Sequence, residues 1–155
     1  METQTKIPDV MENLAVIPDL VAVPTSSTLH HLVDNITESF APVTSRNNCL
    51  VINDVSEDIP VNNDRELVTS LLSNLMNLVF MHTENSRIRI TAKLYRDVVL
   101  LHVKDDGCLN YDSVSQKLAC MRAMAEQLGG FVGFTSYRNK LTTIAFSFMN
   151  RCEAA

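Results

Sequence analysis

The sequence predicts an α+β fold, a two-layer sandwich in which helices cover one face of a mixed, mostly antiparallel sheet. Segments with apolar residues at three- and four-residue steps alternate along the chain with segments of period two. Their order is helix, strand, helix, strand, strand, helix, strand, strand. The last four strands form two adjacent pairs with short connections, which read as hairpins and make the sheet rich in antiparallel pairing. The helical segments are amphipathic, so each has one stripe to bury against a sheet.

All five prolines (Pro8, Pro18, Pro24, Pro42, Pro60) precede residue 61, and the first 25 residues mix them with apolar runs such as Leu20-Val21-Ala22-Val23. Proline at this spacing breaks a long helix. Residues 1–25 are therefore read as a linker or extended arm, 26–150 as one domain and 151–155 as a tail. Ser26-Ser27-Thr28 offers N-caps to a helix carrying Leu29, Leu32, Val33, Ile36 and Phe40 and ending near Pro42. Cys49 to Asn53 is a short β-branched strand. Asp64 caps the next helix, on which Leu67, Leu71, Leu75, Leu78 and His82 share a face.

Residues 87–94 alternate polar with apolar, and residues 97–103 follow across Tyr95-Arg96 as the second arm of a hairpin. A further helix is expected from about 115 to 128, with Leu118, Met121, Met124 or Ala125, and Leu128 on one side. Strands at 131–136 and 141–148 close the domain. All four glycines (Gly107, Gly129, Gly130, Gly133) lie within residues 103–136.

Composition narrows the function. The 155 residues are 46% hydrophobic and 20% charged, ordinary for a globular domain. No apolar run approaches the ~20 residues needed to cross a bilayer. The polar N-terminus does not read as a signal peptide. A net charge of −5 argues against non-specific nucleic-acid binding. Cys49, Cys108, Cys120 and Cys152 form no CxxC pair, so neither a metal centre nor a disulfide framework is expected, and the cytoplasm is the expected compartment.

The words at the joints of this pattern carry a resemblance. They are Leu29-His30-His31-Leu32-Val33 through Phe40-Ala41-Pro42-Val43, residues 51–61, Asp64-Arg65 through Leu71-Leu72-Ser73-Asn74-Leu75-Met76, Leu128-Gly129-Gly130-Phe131, Ser136 and residues 142–148. In this order and spacing the chain resembles the catalytic ATP-binding domain of sensor histidine kinases, the fold shared with gyrase B, Hsp90 and MutL. The likeness runs from about residue 28 to 149. It implies a nucleotide cleft between two helices, with Asn74, Asp105, Gly107 and Lys117 as the candidate nucleotide contacts.

Compared residue by residue, much of the family's chemistry is missing. Asn74 and His82-Thr83 fall in register with the family's N box, but Leu78 stands at the magnesium position and Met81 at its lysine. Asn77 lies one residue early, about 100° around the helix. Asp105-Asp106-Gly107-Cys108-Leu109 keeps the Asp that accepts the adenine amino group and the first glycine, with Leu109 in place of the second; Asp-Asp-Gly after a strand is also a common turn. The family's lid is absent, and Ser113, Ser115 and Lys117 occupy the phosphate-binding glycine positions. Lys117 reads either as a point charge for a phosphate or as a solvated helix residue.

No catalytic and no metal-binding residue is assigned. His30 and His31 sit on one helix without a phosphoacceptor motif around them, His82 reads as an interior histidine, and His102 has no partner. The methionines on the two main helices, Met76, Met81, Met121 and Met124, read as filling of the former cleft or as an adaptable groove for a partner. The expectation is a histidine-kinase-type domain without kinase activity, acting as an adaptor whose partner is a response regulator or another two-component protein. A homodimer is left open. The alternative is weak ATP or ADP binding, with magnesium, and the serine-kinase anti-sigma branch of the fold ranks lowest.

Overall fold

The computed structural model describes residues 28–107, 111–137 and 141–151. The arm expected over 1–25 lies outside the described residues, as does the expected tail beyond Arg151. The elements are α1 (Leu29–Ser39), α2 (Ala41–Arg46), β1 (Leu50–Asn53), α3 (Arg65–Met81), β2 (Arg87–Tyr95), β3 (Val98–Asp105), α4 (Tyr111–Gln127), β4 (Phe131–Tyr137) and β5 (Leu141–Met149).

Local chemistry sets the helix starts. Thr28 caps α1, its hydroxyl accepting from the His31 amide at 3.3 Å. Asp64 caps α3 in the same way, accepting from the Leu67 amide at 3.2 Å. Such caps satisfy amides that the helix itself cannot, and each stabilises by about 1 kcal/mol. Leu29, Leu32, Val33 and Ile36 form the buried stripe of α1, and eight residues of α3 are buried.

Two helix expectations need correction. Pro42 does not simply end helical structure: it lies in the first turn of α2, where a missing N–H is tolerated. The break falls at Phe40, with φ −99° and ψ 7°, and the Phe40 ring meets Phe80 edge-on at 5.5 Å. The second correction is at α4, which begins at Tyr111 rather than near residue 115.

The sheet order is β1-β2-β3-β5-β4. β1 pairs parallel with β2, and α3 supplies the crossover that a parallel pair requires. The β2–β3, β3–β5 and β4–β5 pairs are antiparallel. Alternate residues Ile88, Ile90, Val99, Leu101, Val103, Ile144, Phe146 and Phe148 are buried, while Arg89, Lys93 and Lys104 between them are exposed. The helices thus cover one face, as expected, and α3 packs between α1 and α4. Phe146 and Phe148 stack at 5.3 Å within this core.

The end of α4 is fixed by its glycines. The Gly130 amide donates to Ala125 O at 2.9 Å and the Gly129 amide to Glu126 O at 3.0 Å, the paired bonds of a Schellman cap. Gly129 takes the left-handed φ of 76° that this cap needs. Gly130 then lets β4 approach β5: a Cβ there would stand 1.8 Å from Ser147 O. This pair serves the fold.

Candidate functional site

The face where α3 meets α4 holds a groove of about 340 Å³ lined by Asn74, Asn77, Leu78, Lys117, Cys120, Met121 and Met124. Helical spacing places Asn74, Asn77 and Leu78 along one side. Asn74 and Asn77 are exposed, whereas Leu78, at 2% exposure, belongs to the core. Lys117 and Asn74 do not point free into the groove. The Lys117 ammonium donates to His82 Nε2 at 3.3 Å, and Asn74 Nδ2 reaches Met124 Sδ at 3.9 Å, so both side chains span from one helix to the other.

His82 follows the last turn of α3, and its Nδ1 lies 2.8 Å from Leu78 O. Donation from Nδ1 to that carbonyl leaves Nε2 as the acceptor for Lys117. His82 thus has two partners, but it is only partly buried and not the interior histidine expected.

Asp105 and Gly107 come together at the end of β3. Asp105 is 1% exposed; its Oδ1 accepts from the Gly107 amide at 2.9 Å, while Oδ2 is buried without a hydrogen-bond partner among the described residues. An unmet buried carboxylate oxygen carries a desolvation penalty of about 1–3 kcal/mol or more. Thr83 and Ser86, both buried, bond each other at 3.0 Å beside it. A Cβ on Gly107 would lie 2.7 Å from Ser86 Cβ and 2.9 Å from Thr83 Oγ1, so close packing favours glycine here.

Ser115 and Lys117 lie inside α4, where the backbone amides belong to the helical ladder; Ser113 falls in its first turn. Leu109 and Cys108 lie outside the described residues. His30 is anchored, with Nδ1 2.7 Å from Val55 O and Nε2 3.4 Å from Asp34. Among the described residues no group of three His, Cys, Asp or Glu could hold a metal ion, and no helix is long and apolar enough to cross a membrane.

The sequence did not single out a polar hollow of about 430 Å³ lined by Asn48, Cys49, Leu50, Asn85, Ser86, Arg87 and Asp106. Asn48 and Asn85 both take positive φ, and the Asn48 side-chain amide donates a hydrogen bond to Asn85 Oδ1 at 2.8 Å. Asn is among the residues that tolerate this conformation, which was the available signal.

Solved structures share this fold. Histidine kinase AdeS from Acinetobacter baumannii superposes with a TM-score of 0.69 at 15% identity, covering 80% of this chain and 66% of its own. Full-length ShkA in complex with AMPPNP gives 0.69 at 19% identity over 82% of this chain and 31% of its own. The nucleotide-free catalytic domain of histidine kinase ThkA gives 0.68 at 19% identity over 81% of this chain and 96% of that domain. The fold is that of the histidine-kinase catalytic domain. The expected resemblance is thus borne out at the level of fold, although the chain spans under two thirds of AdeS and about a third of ShkA. No protein-family model matches the sequence, and no curated protein matches it.

Proposed function

We propose that this chain is a histidine-kinase-type ATPase-fold domain that has given up phosphoryl transfer and works as a protein-binding adaptor in two-component signalling. The observation that carries this reading is Leu78. The position that holds magnesium in the resembled family is occupied by a hydrocarbon side chain, 2% exposed, which can neither ligate a hard cation nor leave its place without opening the core. The neighbouring geometry agrees. Lys117 is engaged by His82, and Ser115 and Lys117 sit within a helix instead of a glycine loop. Phosphoryl transfer depends on positioning and on charge neutralisation around the phosphates. Neither is supplied at this end of the cleft, so magnesium and a triphosphate do not fit the residues present.

As partner we propose a response regulator. Histidine kinase ThkA has been crystallised in complex with the response regulator TrrA, and that structure shares the fold with a TM-score of 0.66. The Met121 and Met124 side of the α3–α4 groove supplies an adaptable apolar surface of the sort that re-packs around partners.

One observation favours a second reading, weak binding of ATP or ADP through the base. Asp105 Oδ2 is buried without a partner among the described residues, and an adenine amino group is the type of donor that would satisfy it. A titration with ATP and Mg²⁺, read by thermal shift and calorimetry, separates the two. A ligand at 100-fold its Kd stabilises by about 2.7 kcal/mol. The adaptor reading expects no shift at millimolar ATP. Micromolar affinity abolished by Asp105→Asn would overturn it.

A further inference from the structure

The face of the sheet that no described helix covers has an organisation that the α3–α4 groove does not explain. Strand registers place Ile52, Arg89, Lys104, Thr143 and Thr135 in one row across the five strands. The next row holds Thr91, His102, Ala145 and Gly133, and the one beyond holds Lys93, Leu100, Ser147 and Phe131. The middle row is mostly small, so it runs as a shallow trough between rows bearing cations.

Charge on this face departs from that of the whole molecule. The chain is acidic at −5, yet Arg87, Arg89, Lys93 and Lys104 gather here, all exposed. Arg89 and Lys104 stand directly opposite each other on β2 and β3. Like charges in that relation destabilise a sheet. Arg89 is partly compensated by Asp54 at 2.7 Å, but Lys93 and Lys104 have no ion pair among the described residues. A recess of about 230 Å³ opens beside them, lined by Arg87, Arg89, Lys104, Asp106 and Leu141. His102, in the trough, has its pKa lowered by burial and by Lys104 and Lys93. At the margins Phe131 and Leu141 are 54% and 40% exposed, and the Phe131 ring lies over Gly133.

We propose that this sheet face is a docking surface for an acidic amphipathic segment of a partner protein. Its carboxylates meet Lys93, Arg89 and Lys104 on the side away from Asp106, while its apolar side chains lie on Leu100, Ala145 and Phe131. The like-charged Arg89–Lys104 pair, of which Asp54 relieves only Arg89, is retained at a stability cost that such a partner relieves, and charge complementarity of this sort gives specificity and speed of encounter. A nucleic acid is disfavoured because the rest of the acidic chain repels a long polyanion. The inference does not rest on the adaptor reading, since it concerns the opposite side of the sheet from the α3–α4 groove.

The test uses the full chain, a fluorescein-labelled amphipathic helical peptide rich in Glu and Leu, and a DNA duplex as a competing polyanion. Anisotropy is expected to show saturable peptide binding that weakens at least about tenfold as salt rises. Amide NMR shifts should cluster on Arg89, Thr91, His102, Lys104 and Ala145. Lys104→Glu should abolish binding while leaving the melting temperature at or above the parent's, because it replaces a like-charge pair with an opposite one; a merely structural lysine would not separate the two readouts in that direction. Lys104→Gln, which keeps the side-chain length, should weaken binding to an intermediate degree. No saturable binding, binding indifferent to Lys104→Glu, shifts confined to α3 and α4, or tighter binding of the duplex than of the peptide would each overturn the proposal.

Discussion

Changing Leu78 to Asn would place the family's magnesium ligand back in register, and it tests whether the cleft is open or filled. Leu78 is 2% exposed, so its side chain contributes roughly 1.5–3 kcal/mol of burial. An amide in its place, with no partner supplied by Asn77 or Met121, adds a desolvation cost of about 1–3 kcal/mol. The expected loss is about 3–5 kcal/mol after overlap between these contributions. At this chain length that corresponds to a fall in Tm of roughly 6–20 °C. Urea unfolding followed by circular dichroism measures the loss, and a parallel thermal scan with Mg-ATP looks for restored binding. A loss under about 1 kcal/mol would mean that residue 78 faces an open cleft. Magnesium-dependent stabilisation of the variant would mean that only one ligand was missing. Either result refutes the reasoning that the phosphate end is closed by the protein's own packing.

Other perturbations test separate links of the argument. Gly130→Ala should cost about 3 kcal/mol or more, because its Cβ would meet the Ser147 backbone, which has no rotamer to yield. Gly129→Ala should cost about 1–2 kcal/mol for its positive φ, and comparative urea midpoints would show the order reversed if the approach of β4 to β5 were loose. His102 has a folded pKa below 6.5, so the unfolded chain takes up a proton first as pH falls. Its contribution to stability is complete above pH 6.5 and is lost as pH drops through the folded pKa; His102→Thr should flatten that part of a stability–pH curve. Asp105→Asn keeps an acceptor for the Gly107 amide and should change stability in the absence of ligand by no more than about 1 kcal/mol, measured by the same unfolding assay.

The parts of the fold legible in the sequence were those whose signal is local. Asp64 announced α3 because a capping carboxylate and a periodic apolar stripe lie side by side in the chain. The alternation from Arg87 onward announced β2, since one polar and one apolar face need only period two. Pro42 was ambiguous because proline stops one helix and starts another with the same ring, and only the packing of Phe40 on Phe80 decides where the chain bends. The first turn of α4 was missed because Tyr111, Asp112 and Ser113 show no apolar period; its position depends on Val114 and Leu118 finding the core. In the site, the identity of Leu78 was legible but its burial was not, and the contact of His82 with Lys117 joins residues 35 apart in the chain. The Arg89–Lys104 pairing needs the hairpin register, which the sequence placed one residue away from the actual turn at Arg96-Asp97.

The position of α4 bears on what this end of the candidate site can hold more than any single substitution does. Only three residues separate Gly107 from Tyr111, where the helix already begins. Ser115 and Lys117 therefore have amides committed to the helical ladder, and those amides cannot turn toward a phosphate whatever side chains they carry. Glycine at both places would not rebuild a cradle; it would weaken α4 by about 1 kcal/mol per site. A phosphate loop needs backbone that is free of secondary structure, and here that backbone is spent on a helix whose Lys117 reaches across to His82 and whose Met121 and Met124 line the groove beside Leu78. The Asp105 end shows the contrast. Gly107 packs tightly against Ser86 and Thr83, and one Asp105 carboxylate oxygen is buried without a partner among the described residues. The two ends of the candidate site thus differ in kind: at Asp105 a tightly packed turn, and at Ser115 and Lys117 the continuous backbone of a helix.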